Sequence, residues 1–523
     1  MTTLPRYDEP RLFRLMCAAL AALVACSAPA PTPAQPAVAK RVVDVPMSEP
    51  AEYDIDRISR AAGEAIFTRT GIGDPYRAGV PYPIFLALLR AFPQTFGADT
   101  SALAQKFGFV ARAADPASED ADVRAGLPIG MHLTTDPITN VPFVVTNCSL
   151  CHTERLRWPG GETLVVGLGN KRVRIHAYDA AFAAITQQKS FTVEKLGRLA
   201  REAAHEHKIA WPGQYADAMV AGAIAALRTR ASERAELHEL VAHGPPGRVA
   251  TIEAFVPALR ELSGKPIAYG RDIGWAKVPD VIGFRNRVTL SWDGSGEGPM
   301  DLLAVEADIA AGVRVAWMER HPFQGASLGA YLRQPPPRPT FPGKFDRGLA
   351  ERGRVLFEEH CSDCHGKYAR DGDPLEYDEQ VIALADIGTD PMRASSATDS
   401  FERVANDPVL TRGYTKFRRT FGYVPPVLTN VWARAPYGHA GQWPSLAVLA
   451  TPPDQRPTKF VVDLDAPYDL TDVGVETRAP GGALRAGEYL HDATKPGFSI
   501  AGHPFLAELG KDAPAVIEYL KSL

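Results

Sequence analysis

Cys361-Ser362-Asp363-Cys364-His365 is the stretch from which the rest of the chain is read. It has the form C-x-x-C-H, the sequence form of a c-type haem attachment site. Two thiols add across the haem vinyl groups, so the spacing must present both sulfurs to one porphyrin edge. The histidine follows at once because its imidazole must reach the iron from the same side. A neutral imidazole nitrogen is the usual proximal ligand of haem iron. A second copy stands at Cys148-Ser149-Leu150-Cys151-His152. Two copies predict two covalently bound haem c groups, attached at Cys148, Cys151, Cys361 and Cys364. His152 and His365 are the expected iron ligands.

Cysteine usage points the same way. The chain of 523 residues holds six cysteines, of which Cys17 and Cys26 fall in an N-terminal export segment. The other four are the two motifs, which leaves none for a structural disulfide. A single Cys₄ zinc site would require pairs more than two hundred positions apart to meet. It would also leave the histidine after each pair without a purpose.

Residues 1–26 read as a signal peptide. Arg6, Arg11 and Arg14 supply a basic start, and Leu15 to Ala25 is an uncharged apolar run too short to span a bilayer. Leu23-Val24-Ala25-Cys26 resembles a bacterial lipoprotein box, so membrane attachment by a lipid anchor at Cys26 is expected. The alternative is an ordinary signal peptide cut near Ala28 or Ala30. Residues 27–46, rich in Ala and Pro, then form an extended tether. These features place the protein outside the cytoplasm, periplasmic or lipid-anchored at the outer membrane. The net charge of −4 argues against a nucleic-acid partner, and the redox partner is left open.

The fold expected is mostly α with long irregular loops, because Pro (45) and Gly (44) punctuate a chain of ordinary hydrophobic content, 45%. Tyr82 to Phe92 reads as a buried helix with Pro83 in its first turn. Gly126 to Thr134 reads as loop. Val141 to Val145 is an extended run leading into Cys148. Thr192 to about Leu262 reads as helical, and His205, His207, His238 and His243 within it as solvated. Pro335-Pro336-Pro337 marks a domain boundary. The expected arrangement is two cytochrome c-like haem domains, a modified one at 47–340 and one at 341–523. Phe345 to His360 reads as a helix delivering Cys361, and Asp512 to Leu523 as a closing helix.

That last pair resembles the crossing of first and last helices in class I cytochrome c domains, which implies a class I fold for 341–523 and Gly353 facing Tyr519. Ala435-Pro436-Tyr437-Gly438-His439-Ala440-Gly441-Gln442-Trp443-Pro444-Ser445-Leu446 resembles a segment of bacterial di-haem cytochromes, among them the rubber oxygenases and, more distantly, the di-haem cytochrome c peroxidases. The resemblance extends to Arg456-Pro457-Thr458-Lys459-Phe460, to Gly502-His503 and to Gly244 through Arg248. It implies His439 as the distal ligand of the second iron, chosen over Met392, His491 and His503. The N-terminal part departs from the rubber-oxygenase pattern, since Trp292-Asp293-Gly294 is closer to the peroxidase branch.

No comparable loop offers a distal ligand to the haem at His152, although Met131, His132 and His176 stand as candidates. An open first iron implies an oxidoreductase acting on peroxide or O₂, with the second haem relaying electrons and the Trp292 to Glu297 loop as a candidate distal wall. The alternative is an electron-transfer cytochrome with both irons closed.

Overall fold

The computed structural model describes residues 57–213, 215–299, 313, 315–334, 338–408 and 415–523. The export segment, the tether and the Pro335–Pro337 boundary lie outside the described residues. Among those described, no helix is long and apolar enough to cross a membrane.

Nine helices carry the argument, labelled in chain order: α1 (Arg60–Arg69), α2 (Tyr82–Ala91), α3 (Ile175–Thr186), α4 (Val193–Glu206), α5 (Ala216–Glu233), α6 (Thr251–Ser263), α7 (Pro322–Arg333), α8 (Arg347–His360) and α9 (Ala513–Lys521). Helix α2 forms where the apolar run predicts it. Pro83 sits in its first turn, where a missing N–H costs nothing, and every residue from Tyr82 to Leu89 is buried. Helix α4 instead buries one stripe, Leu196, Gly197, Ala200, Ala203 and Ala204, and lays it against α2. Together with α3 and α5 these helices enclose the first core, which reaches Leu150 and Cys151 of the first motif.

Gly126 to Thr134 departs from the loop expectation. Met131–Thr135 is a strand, paired antiparallel to Pro142–Thr146, which also pairs with Val80–Pro81. Its residues after Met131 are only partly covered, so no apolar alternation marked it. Among the four histidines read as solvated, His238 is buried and bonds Asp179 at 2.9 Å, beside Arg234. His205, His207 and His243 are exposed.

Helices α8 and α9 cross closely, as expected, but at a different point. Gly353 faces the backbone of Ala515 and Val516, while Tyr519 packs on Phe357 with ring centroids 5.3 Å apart. The core beneath them is not confined to residues 341–523. Leu156, Val165, Leu168 and Ile282 share it with Phe357, Trp432, Tyr437, Trp443 and Tyr519. The described residues, from 57 to 523, accordingly belong to one compact unit.

Candidate haem sites

The two C-x-x-C-H motifs arrive by different routes and end in the same geometry. The first follows the strand Pro142–Thr146. Asn147 then caps a single 3₁₀ turn, its side chain accepting from Ser149 N–H at 3.1 Å and from the Ser149 hydroxyl at 2.6 Å. The second follows α8, which ends at Cys361, and continues as one turn, Ser362–His365. Gly366, at a left-handed φ of 78°, stops it. In both turns the histidine N–H closes onto the first cysteine's carbonyl at 3.0 Å. One turn therefore gathers two sulfurs and an imidazole.

Each imidazole is then fixed in the same way. His152 Nδ1 lies 3.0 Å from the carbonyl of Pro279, and His365 Nδ1 lies 3.0 Å from the carbonyl of Pro426. A carbonyl only accepts, so Nδ1 carries the proton and Nε2 keeps its lone pair for a metal. Burial lowers the pKa of both rings, which favours the neutral, ligating form. The Pro426 loop is held in turn by Tyr368, whose hydroxyl donates to His365 O at 2.6 Å and accepts from Leu428 N–H at 2.7 Å. Tyr377 donates to the neighbouring Pro425 carbonyl at 2.7 Å.

These observations fit haem and disfavour the alternatives. No group of three or more His, Cys, Asp or Glu among the described residues is placed to hold a metal ion, so the four cysteines do not converge on zinc. A dithiol redox pair needs one thiol with a lowered pKa. Burial instead pushes Cys151 up to about 12 and Cys361 up to about 11.

The histidine set against His365 is His503. Its ring centroid lies 6.2 Å from that of His365, at 55°. Two imidazoles on one metal ion, each at a bond length of about 2 Å, bring their centroids to roughly 6 Å. His503 is held there by its backbone: Gly502 and His503 both take positive φ, 76° and 46°, and His503 N–H donates to Ile387 O at 2.8 Å. A Cβ at Gly502 would run into the Gly388–Thr389 backbone. Arg456 clamps the same loop, donating to the carbonyls of Ile500 at 2.8 Å, Gly502 at 2.7 Å and His503 at 3.2 Å. His503 Nδ1 is buried with no hydrogen-bond partner among the described residues.

His439, the ligand expected for the second iron, is placed differently. Its ring stacks on Tyr423 at 4.0 Å and 14°, and its carbonyl accepts from Lys277 N–H at 2.7 Å. Arg248 grips its loop through the carbonyls of Ala440 at 2.8 Å and Gly441 at 2.7 Å. Burial drives its pKa down to about 3, and its Nε2 has no partner among the described residues. The rigidity read from Pro436 and Gly441 is real, but it positions the ring against Tyr423. His491 is also spoken for, stacked on Phe460 and bonded to Phe498 O at 3.0 Å.

At the first motif the ring set against the histidine is Phe67 of α1. Its centroid lies 6.1 Å from His152 at 54°, nearly the geometry of the second pair, and it leans on Tyr331 of α7 at 4.5 Å. The candidate closing ligands are engaged elsewhere. His132 bonds Asp122 at 2.7 Å, His176 accepts from Ala250 N–H at 2.9 Å, and Met131 lies in the first core. Glu297 pairs with Arg418 at 2.8 Å. Trp292 donates to Lys277 O at 2.8 Å and accepts from Val424 N–H at 2.8 Å, joining the two halves.

The sequence reading passed over Phe67, Pro279 and Pro426. A phenyl ring carries no ligand signal and a carbonyl belongs to every residue. No local signal singles them out, since the Val-Pro step at Val278-Pro279 also occurs at Val80-Pro81, Val141-Pro142 and Val256-Pro257.

A family model described as RoxA-like, cytochrome c-like matches residues 422–461, the stretch holding Pro426, His439 and Arg456. Two curated proteins of Sinorhizobium fredii (strain NBRC 101917 / NGR234) are similar to the chain. Uncharacterized protein y4iM is 27% identical over 38% of this chain and 48% of its own length. Uncharacterized protein y4iJ is 25% identical over 47% of this chain and 50% of its own length. The chain thus spans about half the length of the curated relatives it matches. The C-terminal part carries a cytochrome c-like domain, and such a domain implies covalently bound haem c.

Proposed function

We propose that the chain is an exported di-haem c-type cytochrome, an oxidoreductase that uses peroxide or O₂ at the first haem and relays electrons through the second. The observation that carries this reading is the contrast between two matched geometries. His365 faces an imidazole, His503, whereas His152 faces a phenyl ring, Phe67, at the same distance and tilt. A phenyl ring offers no lone pair, so a haem held by His152 would be free to take an exogenous ligand there.

A haem at each motif supplies an iron that changes oxidation state by one electron. The residues around it do the rest. Cys148 and Cys151, and Cys361 and Cys364, would attach the two groups. Pro279 and Pro426 hold the proximal rings in one tautomer. Phe67, with Tyr331 behind it, keeps the first distal face apolar and excludes bulk water. Arg456 fixes His503 so that the second site exchanges electrons and admits no substrate. On this reading His503 would supply the distal imidazole of the second haem, and His439 packs against Tyr423. Lipid attachment at Cys26 stays part of the proposal, on the strength of Leu23-Val24-Ala25-Cys26.

Pyridine haemochrome analysis of the purified full chain should return two haems. Carbon monoxide added to the reduced protein should then change the spectrum of one haem and leave the other alone. Two carbon monoxide-silent haems would turn the protein into the electron-transfer alternative, and a colourless zinc protein would end the reading.

A further inference from the structure

The two proximal histidines are anchored on carbonyls, and one guanidinium reaches the residue after each anchor. Asp280 follows Pro279, and Val427 follows Pro426. Arg434 Nε stands 3.0 Å from Asp280 Oδ2, and its Nη1 donates to Val427 O at 2.5 Å. Its Nη2 donates to the carbonyl of Thr429. The Asp280 and Arg434 side chains are only 11% and 8% exposed. Lys277 steadies the pair, donating to the carbonyls of Arg434 and of Pro436. Glu154, Lys171 and Lys277 line the same small internal cavity. Glu154 is answered by Arg172 at 2.5 Å and Lys171 at 3.9 Å, which leaves Asp280 opposite Arg434.

A buried anion is thus one peptide unit from the anchor of His152, and its buried cation is held against the anchor of His365. An anion near iron stabilises the ferric state and a cation the ferrous state. Burial keeps salt and water from screening either effect.

We propose that the Asp280–Arg434 pair sets the two haem potentials apart, Asp280 lowering that of the His152 haem and Arg434 raising that of the His365 haem. The second haem is then the resting place of an electron passing between them. The inference rests on the two-haem reading above.

Spectroelectrochemical titration of the full-length holoprotein tests it, each haem being followed by its own bands. Asp280→Asn keeps the oxygen that accepts from Ile282 and Gly283 N–H and removes the charge. It should raise the reduced-to-oxidised ratio of the His152 haem about tenfold at fixed potential, 59 mV for one electron, and that of the His365 haem by less. Arg434→Gln should lower the ratio of the His365 haem. Arg434→Lys, which keeps the cation and loses the fork, should leave that ratio close to wild type, an outcome a purely structural role of the guanidinium does not give. A haemochrome count below two in the wild type ends the two-haem reading and this inference with it. With two haems attached, equal shifts of both haems, shifts of the opposite sign, or none overturn the charge-pair inference alone.

Discussion

Replacing Gly353 by alanine should destabilise the protein, although alanine is the better helix former. An added Cβ would overlap the Ala515 carbonyl group and stand 2.9 Å from Val516 N. All are backbone atoms of α9 and none can rotate away. Ordinary carbon contacts lie at about 3.5–4.0 Å, so α8 and α9 must part by roughly an ångström. A gap of that size forfeits a quarter to a half of each contact's attraction, and the Phe357–Tyr519 packing lies in the same interface. Overpacking of this kind costs up to about 3 kcal/mol, and the propensity gain returns about 1 kcal/mol. The net expectation is a loss of about 2 kcal/mol. Gly222, in α5 with nothing within 4 Å of its added Cβ, supplies the control, where alanine should stabilise by up to about 1 kcal/mol. Urea denaturation of the full-length holoprotein, followed by circular dichroism, measures both. A Gly353→Ala variant as stable as wild type would refute the argument that this crossing is limited by backbone contact.

Other outcomes follow from buried polar groups. Asp179 lies between Arg230 at 2.8 Å, Arg234 at 2.9 Å and His238 at 2.9 Å. Asp179→Asn should cost about 3–5 kcal/mol by stranding the cations, measured by the same denaturation. Burial alone would raise the Asp179 pKa, but Arg230, the His238 bond and Arg234 together hold it well below the usual carboxylate value. Its contribution is therefore complete above the unfolded pKa and is lost as pH falls through the folded one. Burial pushes His176 down to about 4, against about 6.5 unfolded, so unfolding takes up a proton in that window and stability is lost as pH falls from about 6.5 toward 4. His176→Gln should reduce the slope by one proton, about 1.4 kcal/mol per pH unit, and an unchanged slope would count against a neutral buried ring. Phe67→His should convert the first haem to a six-coordinate, low-spin form that no longer binds carbon monoxide, read by optical spectroscopy of the reduced protein.

The parts legible in the sequence were those whose physics is local. A C-x-x-C-H motif encloses its own sulfurs and imidazole in one turn, and the apolar run Tyr82 to Leu89 or the stripe of α4 declares its burial in its own spacing. The strand Met131–Thr135 was hidden because partial cover on both faces leaves no alternation. The partner of His365 was hidden for another reason. His439 and His503 both sit in stiff loops beside glycine, and each loop is gripped by an arginine, Arg248 or Arg456, from elsewhere in the chain. Which loop swings over His365 is decided by long-range contacts such as His503 N–H to Ile387 O, and no residue spacing records them. The expected domain division at residue 340 met the same limit, because Leu156 and Ile282 complete the core under α8 and α9.

The central claim is that one iron is closed by His503 and the other faces Phe67. Ferric electron paramagnetic resonance of the wild type and of His503→Ala tests it most directly. The wild type should show one high-spin haem and one low-spin haem with two axial imidazoles. His503→Ala should lose the low-spin signal with both haems still attached, since the thioether bonds depend on Cys361 and Cys364, while His439→Ala should keep it. Two low-spin haems in the wild type, or loss of the low-spin signal in His439→Ala with His503→Ala unchanged, would contradict the account.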